Sequence, residues 1–125
     1  MTFTVENLAP AHAVILVVHT GDVTASDMRA AGKQVHDLVA GATPVHVLSD
    51  FSDATSLPGA IEMLNLLEQL QAAGIGAGFR QAMVWPDNDE ARLELDVWRT
   101  AETNRGLRAK VFGDRESALA WLEES

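Results

Sequence analysis

The sequence predicts an α/β domain: a mixed sheet of about five strands with an antiparallel edge strand, covered by about four helices. Three observations carry this expectation. AVILVVH (13–19) is β-branched and apolar on both faces, as a central strand covered on both sides is, and PVHVL (44–48) reads as the next interior strand. Stretches of helical period follow each of them. The resulting order, β β α β α β α β α, is that of parallel strands joined by helices, and the right-handedness of such crossovers narrows the topology.

The elements follow in turn. TFTVE alternates, with Phe3 and Val5 on one side, and predicts a short edge strand. Pro10 in NLAPAH turns the chain into AVILVVH. The stretch TGDV, with Gly21, is then read as a turn. TASD (24–27) matches a capping box, in which Thr24 accepts from the amide near Asp27 and Asp27 reaches back to the Thr24 amide. Behind it Met28, Ala31, Val35, Leu38 and Val39 recur at helical spacing, and Gly41 is expected to stop that helix.

PVHVL is the next strand. SDFSDATSLPGA (49–60) is read as a polar loop and helix start, with Ser56 as N-cap ahead of Pro58 in the first turn. Ile61, Leu64, Leu67 and Leu70 form the stripe of the following helix, with Met63 and Leu66 beside it. GIGAG breaks it, and FRQAMVW (79–85) is a strand. In 86–103, Leu93, Leu95 and Val97 alternate like a strand, yet Ala91, Leu95 and Trp98 fit a helix. The acidic start at Asp87, Asp89 and Glu90 decides for helix. LRAKVF is the last strand. The last helix is GDRESALAWLEES, with Asp114 as N-cap and Ala118, Leu119, Trp121 and Leu122 as its apolar members.

A chain of 125 residues suits one domain, 1–125, with one core. Without cysteine, disulfides, thiolate catalysis and Cys-ligated metal sites are excluded. The formal charge of -9 repels nucleic acid and anionic lipid, and no basic patch is visible as a run. The start MTFTVENLAP has no basic segment before an apolar one, so it is not read as a signal peptide. The longest apolar run, AVILVV, is too short to span a bilayer. A cytoplasmic protein with no nucleic-acid partner and no membrane span is expected.

Candidate chemistry gathers at the strand carboxyl ends, where parallel sheets bind ligands. His19, Thr20 and Asp22 follow the second strand, and Ser49, Asp50 and Ser52 follow the third. His19 and Asp50 are the residue types of a base and its orienter, with Ser52 or Ser56 as nucleophile, although no G-x-S-x-G elbow is present. His12, His19, His36 and His46 show no metal-ligand spacing, so no metal is expected. The glycines of 72–80 follow a helix and open a strand, the reverse of a phosphate-binding loop, which leaves Arg80 alone as a weak anion candidate. In the fourth segment Leu93 and Val97 point one way and Leu95 and Trp98 another. These four are therefore candidates for a homodimer interface.

The stretches GDVTASDM, PVHVLSDFSDATSLPG and VFGDRESALAWL resemble the small bacterial STAS and SEC14-like domains, related in fold to the anti-anti-sigma antagonist SpoIIAA. The resemblance runs from about Val14 to Leu122, and the pattern from Phe112 to Leu122 is its more distinctive part. Antagonists of this fold carry D-x-S-x-x-x-x-x-D-S, whose last Ser is phosphorylated at the start of a helix. Here the first Asp is Asp50 and the nearby Ser is Ser52. The second Asp falls on Pro58 and the acceptor on Gly59, so the usual hydroxyl is missing; Thr55 and Ser56 are the nearest substitutes.

The resemblance implies a non-enzymatic regulatory or protein-interaction module without a cofactor. His19, Asp22, Asp50, Ser52, Thr55 and Ser56 would form its contact rim. Two other classes stand beside it. A SEC14-like carrier of a small apolar or lipid ligand needs a cavity of roughly 300 Å³. A small hydrolase needs His, Asp and Ser within hydrogen-bond reach.

Overall fold

The computed structural model describes residues 3–9, 12–39, 45–75 and 78–124. Its order is β1 (Phe3–Asn7), β2 (Ile15–Asp22), α1 (Ala25–Leu38), β3 (Val45–Ser56), α2 (Ala60–Ala72), β4 (Phe79–Val84), α3 (Asp89–Asn104), β5 (Arg108–Phe112) and α4 (Arg115–Glu123). The five strands lie side by side in sequence order, β1 antiparallel to β2 and all others parallel.

The alternation of side chains across the pleat splits the core in two. Ile15, Val17, Val45 and Val47 face α1, while Phe51 and Met83 pack with residues of α2 and α3. Leu16, Leu48, Ala82 and Val84 face the other way, against Ala118 and Leu122 of α4. Three successive crossovers thus share one face and α4 alone covers the other. The first halves of both central strands are buried on both sides, which is why Ile15–Val18 is a continuous apolar run.

The local signals account for most element ends. Thr24 Oγ1 accepts from the Asp27 amide at 3.1 Å and Asp27 Oδ2 accepts from the Thr24 amide at 3.2 Å, closing the capping box. Asn88 accepts from the Ala91 amide at 3.1 Å to start α3, and Asp114 from the Ser117 amide at 2.7 Å to start α4. The segment from Asp89 is helical, as its acidic start requires. Gly41, expected to end α1, lies outside the described residues; α1 ends at Leu38 with Val39 as its cap.

Four expectations change. First, 49–56 is not a loop: β3 continues to Ser56, and β2 likewise runs on through TGD to Asp22. Two register slips against β2 each give β3 an extra residue, so Val18 pairs with Asp50 but Thr20 with Asp53, and Gly21 with Ala54 but Asp22 with Ser56. Each extra residue resets the alternation, so Phe51 and Ala54 are both buried although three apart. Second, the N-cap of α2 is Gly59 rather than Ser56, with no side-chain cap. Third, α2 buries Met63, Leu66 and Leu67, while Ile61, expected in the core stripe, is 78% exposed. Fourth, Leu95 and Trp98 are 0% and 4% exposed inside the core and cannot meet a second subunit, whereas Leu93 and Val97 are exposed.

Candidate functional site

β3 pairs with β4 only as far as Asp50 opposite Val84. Beyond that point it continues beside β2 alone, so the two strands project past the sheet as a ribbon. The ribbon carries Asp22, Asp53 and Thr55 exposed and Ser52 and Ser56 half-buried. Ser56 Oγ donates to Asp22 Oδ1, and the Val23 amide donates to the Ser56 carbonyl at 3.0 Å, tying the two strand ends together.

Asp50 sits at the root of this ribbon on the α4 face, 3% exposed. Its Oδ1 accepts from the Ser52 amide at 2.8 Å, and its Oδ2 accepts from Nε of Arg115, the first residue of α4. Burial pushes the Asp50 carboxyl upward, but the Ser52 amide and hydroxyl and the Arg115 guanidinium together outweigh it and hold the group below its usual value. Asp50 is therefore a fixed, ionised corner rather than a proton donor. No sequence signal marks Arg115 for this role; it lies 65 positions from Asp50, and only the return of α4 across the sheet brings it there.

His19 projects from the opposite face. It is not the surface histidine that its place before a turn suggests: it is 3% exposed and its ring stacks on Phe51 at 4.6 Å and 3°. Burial lowers its pKa to about 4, against smaller opposing pulls from Asp27 and Asp50. The imidazole is thus neutral at pH 7. Its Nδ1 has no hydrogen-bond partner. The structure therefore brings together Asp22 with Ser56 and Asp50 with Ser52, but neither Ser52 nor Ser56 with His19.

On the His19 side the sheet and the three helices enclose a cavity of about 80 Å³. Most of its wall is apolar; His19, Ser49, Gln81, Trp98 and Glu102 supply the polar groups. Gln81 Nε2 donates to both Glu102 carboxyl oxygens at 2.9 Å, and its Oε1 accepts from Ser49 Oγ at 2.9 Å. Glu102 is 7% exposed, and burial pushes its carboxyl up to about 8, so it keeps its proton at neutral pH. Trp98 Nε1, like His19 Nδ1, lacks a partner. No group of His, Cys, Asp and Glu suited to a metal occurs among the described residues.

The family model described as SpoIIAA-like matches residues 14–123. The chain belongs to the SpoIIAA-like family. Two solved structures share the architecture. One is an uncharacterised protein with a SpoIIAA-like fold from Shewanella loihica, 24% identical, with a TM-score of 0.58 over 96% of this chain and 91% of that one. The other is a candidate anti-sigma factor antagonist from Thermotoga maritima, 16% identical, with a TM-score of 0.55 over 97% of this chain and 94% of that one. At these identities both show the fold alone. No curated protein matches the chain.

Within this SpoIIAA-like chain the observed start of α2 falls on Gly59, the position where the sequence resemblance places the phosphorylated serine. The register of that resemblance agrees with the helix boundary. A Cβ built on Gly59 meets nothing within 4 Å, and its φ of -67° is open to any residue. Packing at this position does not exclude a hydroxyl. No helix among the described residues is long and apolar enough to cross a membrane.

Proposed function

We propose that this SpoIIAA-like protein is a non-enzymatic, cytoplasmic regulatory module that binds a protein partner through the projecting β2–β3 ribbon. The observation that carries the reading is the ribbon itself, which leaves the sheet after Asp50 and presents Asp22, Asp53, Thr55 and Ser56 on two strands tied at their ends. The ionised pair of Asp50 and Arg115 braces its root. Exposed carboxylates on a braced ribbon favour a basic patch on the partner. Loop ordering on binding costs affinity, and a ribbon already paired avoids part of that cost. With glycine at 59, partner binding is not switched by phosphate at the usual serine.

The reading is tested by placing a photo-crosslinking amino acid at Thr55 and, as a control, at exposed Leu38, in cells that make the protein. A discrete cross-linked partner from position 55 that is absent from position 38, and lost in Asp53→Lys, is the expected result. Identical patterns from both positions would remove the ribbon as the contact.

A second reading, a small-molecule carrier, is favoured by the unpartnered Trp98 Nε1 and His19 Nδ1 at the cavity wall. The cavity of about 80 Å³ suits a few waters or a very small ligand, below the roughly 300 Å³ of drug-sized sites. A lipid would require α1 and α2 to part. Native mass spectrometry of protein purified from cells decides it: a stoichiometric retained mass supports carriage, and an apo mass alone counts against it. The hydrolase reading gains nothing from the geometry, since His19 lies buried on the face opposite Asp50 and Ser56 bonds to Asp22 instead.

A further inference from the structure

The end of the sheet opposite the ribbon carries a charge arrangement that the fold does not need. His46, Arg80 and Arg108 stand in one register row across β3, β4 and β5, His46 beside Arg80 and Arg80 beside Arg108. Neighbouring strands lie about 4.8 Å apart, and residues in register project from the same face. Like charges so placed destabilise a sheet. All 18 Asp and Glu residues of the chain lie among the described residues, yet none forms an ion pair with Arg80 or Arg108. On a chain of net charge -9, two adjacent arginines that form no ion pair among the described residues call for a reason.

Arg80 makes the case sharper. It is 7% exposed, and its Nε has no hydrogen-bond partner. Its guanidinium carbon lies 4.1 Å from the centroid of the Trp121 ring, which attracts the charge and offers no acceptor. A buried charge is costly unless it is paired and hydrogen-bonded, and an anion would supply what Arg80 lacks. His46 completes the row: burial first, then the positive charges of Arg80 and Arg108, lower its pKa. The three side chains line one hollow of about 300 Å³, together with Gly78 and Gly106. Guanidinium forks match the oxygens of a phosphoryl group, which two arginines can hold at once.

We propose that this hollow, lined by His46, Arg80 and Arg108, is a binding site for a phosphoryl oxyanion, either free phosphate or a small phosphate monoester. Its ligand meets the end of the sheet farthest from the ribbon, so the site and the partner contact are separately testable.

The test titrates the full ¹⁵N-labelled chain at pH 7 with inorganic phosphate, with chloride adjusted to hold ionic strength constant. Saturable shifts at the amides of His46, Gly78, Arg80, Gly106 and Arg108, and at the Arg80 Nε–H, are expected. Arg108→Gln, at an exposed position, should weaken binding by about tenfold, as loss of one charge-assisted pair does. Arg80→Lys keeps the charge, loses the fork, and should weaken binding similarly. Phenyl phosphate, titrated in parallel, separates the sources: tighter binding assigns the site to a monoester, equal or weaker binding to the free ion. Absence of saturable shifts, shifts centred elsewhere, or unchanged affinity in Arg108→Gln with the fold intact overturns the site.

Discussion

Asp50 and Glu102 are both buried carboxyls, and their surroundings send them in opposite directions. The folded pKa of Asp50 lies below its ordinary 3.8, so the unfolded chain binds more protons than the folded one as the solution becomes acid. Its contribution is complete above the unfolded value and is lost as pH falls through the folded value. Asp50→Asn should therefore lower stability at pH 7 by about 1.5–3 kcal/mol, the range for a hydrogen bond to a charged group. The gap between variant and wild type should close in acid. Urea unfolding at pH 7 and below pH 3.8 reads both, and a gap of equal size at the two would remove the Arg115 and Ser52 interactions as its cause. Glu102 runs the other way. Its folded pKa is raised from 4.5 to about 8, so the folded state holds a proton that the unfolded chain has released. Its contribution to stability is full below 4.5 and is lost as pH rises toward 8. Glu102→Gln should abolish that decline and exceed the wild type at pH 8 by more than about 1 kcal/mol. A decline between pH 7 and pH 8 that is equal in the wild type and in Glu102→Gln would contradict the assignment. Neither residue's role was readable in the sequence. The place of Asp50 after a strand marks it as a candidate, but nothing marks Arg115, and Glu102 looks like any polar residue on a helix until α3 is laid on the sheet.

At the scale of elements, sequence signals served where they were local. A capping box, an acidic first turn and a two-sided apolar run each act within a few residues, so Thr24, Asp89 and AVILVVH declared their elements directly. β3 defeated the same reasoning because its last six residues obey the partner strand. Two bulges shift the pleat, serine and aspartate take positions where alternation demands apolar residues, and the result resembles a loop. With β3 extended, the helix start moved from Ser56 to Gly59, where no side chain serves as cap. That vacancy gives a direct test of the boundary. Gly59→Ser supplies an oxygen for the free amides of the first turn, in open space and at a backbone angle that serine accepts. It should raise stability by a few tenths of a kcal/mol, about 1–2 °C in Tm. The same substitution at Ser56, to Gly, should leave α2 unaffected and instead loosen the bond to Asp22. If Ser56 were the cap, Ser56→Gly would shorten the helix, and amide exchange across Ala60–Met63 distinguishes the two.

At the scale of the whole molecule, the apolar surplus of α3 divides cleanly. Leu95 and Trp98 belong to the core, and only Leu93 and Val97 remain outside. They are not alone. α2 packs beside α3, and Leu64 lines the same surface groove as Val97, with Ile61 one turn away on α2. Four exposed apolar side chains on two adjacent helices are the material of a self-associating face, although their aromatic neighbour has been withdrawn into the core. We propose a homodimer through this face. Each subunit carries a net charge of -9, so long-range repulsion opposes the apolar contact and salt should favour association. Light scattering at low and at physiological ionic strength should show the mass rising toward twice 13.5 kDa as salt is added. Leu93→Glu combined with Val97→Glu should hold it at 13.5 kDa in both conditions with an unchanged far-UV spectrum. Trp98→Asp discriminates against a different reading, in which the tryptophan itself bridges subunits. Placing a carboxylate among Met63, Leu66 and Leu95 should unfold the chain rather than split a dimer. A folded, monomeric Trp98→Asp variant would return that residue to the surface and break the packing of α3 described above.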